Sequence, residues 1–223
     1  WQPKGWEPTK TTNSNNINKN IDLTTNEMLR TSSFYVLWIM YTIGTISGLM
    51  IIGHASPIGQ EQIGLTPEIA AVAVSIISVA NTFGRLFWGS VSDRIGRYYA
   101  LVMMYALSAV MLLTINMADS FALFIIGACG IALSYGGFLG IMPSVTADNF
   151  GSKHLGINYG VMLTAYGVAA IIGPRLAAVV KETSGGVYSN AYMIASILNL
   201  AGILFTLLII YKFKKEKAVV PES

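Results

Sequence analysis

The chain has 223 residues, of which 53% are hydrophobic and only 11% charged, with a mean hydropathy of +0.58 and a formal charge of +3. A water-soluble domain carries roughly 25% charged residues, so this composition cannot cover a water-facing surface and points to a membrane protein. The single cysteine, Cys129, excludes an intrachain disulfide and a multi-thiolate metal site, and reads as a small packing residue.

Residues 1–30 are polar and rich in Asn, Thr and Pro, which argues against a packed core and predicts a flexible loop, with Asp22 or Thr24–Thr25 as a weak helix start. The chain begins at Trp1 without a signal-peptide pattern, as expected of one piece of a longer polypeptide. Six apolar runs follow, over about 33–53, 69–90, 99–116, 121–145, 155–180 and 191–211. Each is roughly 20 residues, enough to cross a hydrocarbon core of roughly 30 Å as a helix. None alternates with the period of two that a membrane barrel strand needs. The expected class is all-α: a polytopic six-helix bundle over 31–212, preceded by the 1–30 segment and followed by the tail 213–223.

Lysine and arginine set the expected orientation. The N-terminal segment (Lys4, Lys10, Lys19, Arg30), the turn at 91–98 (Arg94, Arg97), the 146–154 connection (Lys153) and the tail (Lys212, Lys214, Lys215, Lys217) hold eleven of the fourteen. The connections on the opposite side hold only Lys181, so both termini are expected on the cytoplasmic side of an integral membrane protein, in a plasma or inner membrane. The tail lysines are expected to fix topology and to touch anionic lipid.

Arg85 interrupts an otherwise uncharged run eight residues before Asp93, about 12 Å from the helix end. An arginine at that depth is costly to expose to lipid. Either it binds an anion in a water-accessible pathway, where its planar fork suits a carboxylate, or it bonds neighbouring helices. No Asp or Glu lies at similar depth in any span, which favours an external anion. Trp38, Tyr41, Tyr135 and Tyr166 fall at comparable depths, and each either lines a cavity beside Arg85 or packs between helices. Gly44 and Gly48 have the spacing that lets helices approach closely. Gly173-Pro174 interrupts the fifth span, and Arg175 beside it is expected to snorkel to the headgroups. His54 and His154 sit at expected connections and read as solvated. No cofactor or metal site, nucleic-acid patch or paired catalytic set is seen, so an enzyme is not expected.

The turn Gly89-x-x-x-Asp93-Arg94-x-Gly96-Arg97 resembles the signature loop of the major facilitator superfamily, which joins the second and third helices of each six-helix half. Tyr98 stands where that pattern usually has a second basic residue. Four stretches look like the oxalate/formate antiporter family: Pro3-Lys-Gly5-Trp6-Glu-Pro8, Gly84-Arg85-x(3)-Gly89-x(3)-Asp93, Tyr135-Gly-Gly-Phe-Leu-Gly, and Asn149-Phe-Gly-x-Lys-x-x-Gly-x-Asn158-Tyr159-Gly. The resemblance implies the C-terminal half of a twelve-helix transporter, partnered by an N-terminal six-helix half and membrane lipid. It implies alternating access, with Arg85 holding substrate carboxylate and Gly89, Asp93, Arg94, Gly96 and Arg97 forming a conformational latch. Oxalate-transporting members carry a lysine in the eleventh helix where this chain aligns Tyr166, so a monocarboxylate such as formate, lactate or pyruvate is expected over oxalate, by antiport or proton symport. The first, second, fourth and fifth spans should then line the cavity, and the third and sixth face lipid. A transport-inactive receptor or assembly subunit is the alternative.

Overall fold

The computed structural model describes residues 22–219. Residues 1–21 of the expected loop and 220–223 of the tail lie outside them, as do the side chains of the tail lysines. All described regular structure is helical: α1 (Thr25–Leu29), α2 (Ser32–Ile63), α3 (Pro67–Ile95), α4 (Arg97–Asn116), α5 (Phe121–Phe150), α6 (Leu155–Met162), α7 (Thr164–Thr183) and α8 (Ser189–Val219). Six spans are long and apolar enough to cross a membrane, the fifth being α6 and α7 together.

The helix ends follow from local chemistry. Thr31 caps α2 by accepting the Phe34 amide, and Thr66 caps α3 by accepting that of Ile69, with Pro67 in the first turn where no partner for its missing N–H is needed. Gly64 ends α2 at φ +69°, a left-handed conformation that glycine adopts without a Cβ clash.

Four boundaries differ from the sequence expectation. Helix α2 does not stop at Gly53 but runs through Pro57 to Ile63, because a proline removes only one ladder bond when the flanking turns are packed. His54 therefore lies within a helix, half-buried, its ring 6.4 Å from that of Tyr188, rather than in a solvated connection. The expected turn at 91–98 shrinks to one residue: α3 ends at Ile95, α4 begins at Arg97, and Gly96 alone, at φ +95°, turns the chain. Helix α7 passes straight through Gly173-Pro174, and the fifth span is instead divided at Leu163. There the Thr164 hydroxyl donates to the Val161 carbonyl at 2.7 Å and competes with the backbone ladder.

The fourth difference is at the front. Residues 22–30 are docked, not loose. Thr24 and Glu27 form a reciprocal capping box, and Met28 is fully buried in the cluster that holds Phe34, Phe150 and Met162. The Thr24 amide holds the Glu27 carboxyl below its ordinary value, so this cap persists at neutral pH and is lost only as pH falls through that lowered value.

Helices α2 and α5 are the interior of the bundle. Of their apolar stretches 67% and 56% are buried, against 22% for both α3 and the α6–α7 span. Helix α3 packs chiefly on α5, α2 on α7, and α4 on α8 and α5. The core forms two apolar clusters, one around Tyr41, Tyr105 and Phe138 and the other around Ile58, Phe124 and Tyr192.

Candidate anion-binding site

Helix α3 brings Arg85 to the middle of the bundle, ten residues short of Ile95, which is about 15 Å along the axis. Glycine fixes it there. A Cβ at Gly140 on α5 would lie 2.9 Å from the Arg85 carbonyl oxygen. One at Gly136 would overlap the Asn81 carbonyl, and one at Gly84 that of Leu133. The two backbones thus touch directly at the level of Arg85. The Arg85 side chain points to the open face of α3 and is exposed. Among the described residues it makes no hydrogen bond or ion pair.

Tyr135 is 5% exposed and sits in a notch on α2, because its Cβ and ring occupy the place a side chain at Gly48 would fill. Phe138 fills the same kind of notch at Gly44. The small-residue spacing in α2 therefore receives rings from α5 rather than a helix backbone. The Tyr135 ring stacks on that of Tyr166, centroids 6.5 Å apart, and Tyr135 lies within electrostatic reach of Arg85. Tyr41 is fully buried, and its hydroxyl faces that of Tyr159. Its electrostatic neighbours are Tyr159, Tyr135 and Tyr166. Four phenols from α2, α5, α6 and α7 thus form one group with Arg85 at its edge.

Trp38 does different work. Its indole N–H donates to the Thr164 hydroxyl at 2.9 Å, and this ties α2 to α7 beside the break at Leu163. Tyr159 was missed from sequence, although it stands seven residues before Tyr166 and so on the same face of the fifth span.

The signature residues are spread over two helices. Asp93 and Arg94 lie in the last turn of α3, Arg97 opens α4, and Gly89 has open space before it. A carboxylate at a helix C-terminus and a cation at an N-terminus each oppose the helix dipole. Arg97 relieves both: it pairs with Asp93 at 2.6 Å and with Asp148, in the last turn of α5, at 3.5 Å, and it donates to Ser92. Asp148 is a partner that the spacing of the motif did not reveal. Arg94, by contrast, lines a shallow groove of about 350 Å³ with Phe83, Leu86, Phe87, Ser90 and Val91.

At the opposite end of the bundle Lys181 on α7 pairs with Glu61 on α2 at 2.5 Å, with its ammonium 5.1 Å from the centre of the Tyr188 ring. No cluster of His, Cys, Asp or Glu among the described residues could hold a metal ion.

The Major Facilitator Superfamily model matches residues 28–222. The chain belongs to that superfamily. It is 33% identical over 178 residues to the oxalate:formate antiporter of Oxalobacter formigenes, an overlap covering 79% of this chain and 42% of the antiporter. It is also 33% identical over 155 residues to an uncharacterized MFS-type transporter of Escherichia coli, covering 67% of this chain and 38% of that protein. To monocarboxylate transporter 14 of Mus musculus it is 28% identical over 138 residues, covering 60% of this chain and 26% of the transporter. This superfamily member therefore spans about two fifths of the length of the first two relatives.

Proposed function

We propose that this chain is the C-terminal six-helix half of a secondary active transporter that moves a small organic anion by alternating access. The observation that carries the reading is Arg85: a guanidinium halfway along a membrane helix, on the open face, with no carboxylate partner among the described residues and with Tyr135 in electrostatic reach. A cation so placed is expensive unless an anion or water meets it. Its fork would take a carboxylate through two parallel N–H bonds, while Tyr135 and Tyr166 offer hydroxyls beside it. The open faces of α3 and of the α6–α7 span would meet the N-terminal half across the pathway. Tyr166 provides a hydroxyl and no second positive charge, which favours a monocarboxylate over oxalate. The relatives named for oxalate, formate and monocarboxylates support the same class.

In this reading both ends of the chain are cytoplasmic, in a plasma or inner membrane, and the charge group at Asp93, Arg97 and Asp148 is an inner latch. It holds α3, α4 and α5 together in one state and parts in the other. The test is uptake of formate, lactate and oxalate by the full-length protein in liposomes. Arg85→Ala should abolish carboxylate uptake, and Arg85→Lys should lower it by about tenfold or more, because a point charge replaces a bidentate fork. Undiminished uptake in both variants would overturn the assignment.

A further inference from the structure

The stretch Asn149–Gly160, of which only Tyr159 belongs to the phenol group, holds the segment 22–25 through four hydrogen bonds. Leu23 donates its amide to the Phe150 carbonyl at 2.9 Å. The Lys153 amide donates to the Asp22 carboxylate at 3.1 Å. Between these, Asn158 on α6 is fully buried and uses both ends of its carboxamide: Nδ2 donates to the Leu23 carbonyl at 2.9 Å, and Oδ1 accepts the Thr25 hydroxyl at 2.8 Å. Met28 drives into the core one turn later, and its carbonyl accepts the Thr31 hydroxyl that caps α2. The segment 22–30 is therefore a strap, held at one end by the corner between α5 and α6 and continuous at the other with the head of α2.

Only a side chain with a donor and an acceptor at this reach can fill the place of Asn158. Aspartate lacks the donor, and leucine lacks both. The next residue, Tyr159, packs with Tyr166 against the buried cluster that holds Tyr41. We infer that Asn158 is a positioning residue of the transport site: it clamps α6 to the strap, fixes the rotation of α6 about its axis, and so sets Tyr159 against Tyr41 in the phenol group beside Arg85. The helical ladder runs on across Leu163, whose amide donates to the Tyr159 carbonyl at 2.7 Å, so a rotation fixed at α6 is carried toward α7. This rests on the reading of that group as the anion site.

The experiment uses the full-length protein in nanodiscs and liposomes, with two readouts. Hydrogen exchange of the 22–30 amides reports the strap, and the KM for formate and lactate reports the site. Asn158→Leu, similar in size, should speed exchange at Leu23 and Met28 by about tenfold, since two buried hydrogen bonds are lost. It should also raise KM severalfold with Vmax nearly unchanged, whereas simple loss of folded protein would lower Vmax alone. Thr25→Val, which removes one hydroxyl at the edge and keeps Asn158, should give the same pattern at smaller size, and it decides the matter if Asn158→Leu does not fold. Unchanged exchange in both variants would overturn the clamp, and faster exchange with an unchanged KM would overturn its link to the site. If Arg85→Ala keeps full transport, the anion-site reading fails while the exchange result still stands alone.

Discussion

Two helix pairs in this bundle are joined by opposite means. Helices α3 and α5 meet backbone on backbone through Gly84, Gly136 and Gly140, with no described polar side-chain bond between them. Helices α2 and α7 are tied by polar groups along their length: Trp38 to Thr164, Thr42 to the Ala165 carbonyl at 3.4 Å, and Glu61 to Lys181. A close backbone contact at Gly173 against the Ile46 carbonyl supplements these ties. The difference tracks the placement of Arg85. Glycine lets the backbones of α3 and α5 meet at the level of Arg85 while the guanidinium turns to the open face of α3.

The comparison predicts unequal sensitivity, and the largest effect falls on the glycine pair. Gly136→Val places a branched side chain against the Asn81 carbonyl, a backbone atom that cannot rotate away. Helix α3 must move out or α5 must bend, at about 3 kcal/mol. Thermal unfolding of the full-length protein in detergent should show this as the largest loss among the variants considered. If Gly136→Val melts with the parent protein, α3 and α5 are not in backbone contact and the contrast between the pairs fails.

The six spans, their order and the lone arginine were legible because each depends on local sequence alone: run length, hydropathy and one charge. What could not be read depends on partners distant in the chain. The docking of 22–30 rests on Asn158, more than 130 residues away, and no local pattern in a stretch rich in Asn and Thr announces it. Asp148 as a partner of Arg97 is hidden for the same reason. Proline misled at Pro57 and Pro174, since both stay inside helices that tertiary packing holds together. Depth counting put Tyr135 and Tyr166 at one level, and the fold stacks their rings together. It could not separate them from Trp38, whose indole is committed to Thr164, because depth says nothing about which way a side chain faces.

The polar pair should respond in smaller steps. Trp38→Phe removes the indole donor while keeping most of the ring. Interhelical hydrogen bonds in membranes average about 0.6 kcal/mol, and a double-mutant cycle with Thr164→Val should return a coupling of that order. A coupling of zero would mean that α2 and α7 are held by packing alone at this point.

The smallest effect belongs to Glu61 and Lys181. Their side chains are 44% and 28% exposed, so water screens the attraction, and holding two long side chains in one geometry offsets much of it. Glu61→Gln should lower the stability of the full-length protein only slightly at physiological salt, and by less at 1 M, where the screening length falls to about 3 Å. Part of the contact should survive, because Lys181 keeps the face of Tyr188 as a second partner. Removing that partner by Tyr188→Leu in the Glu61→Gln background should therefore cost more than Tyr188→Leu does alone. Strict additivity of the two changes, measured by unfolding at low and high salt, would show that the ion pair and the ring act independently, leaving the outer tie between α2 and α7 no stronger than its glycine contact.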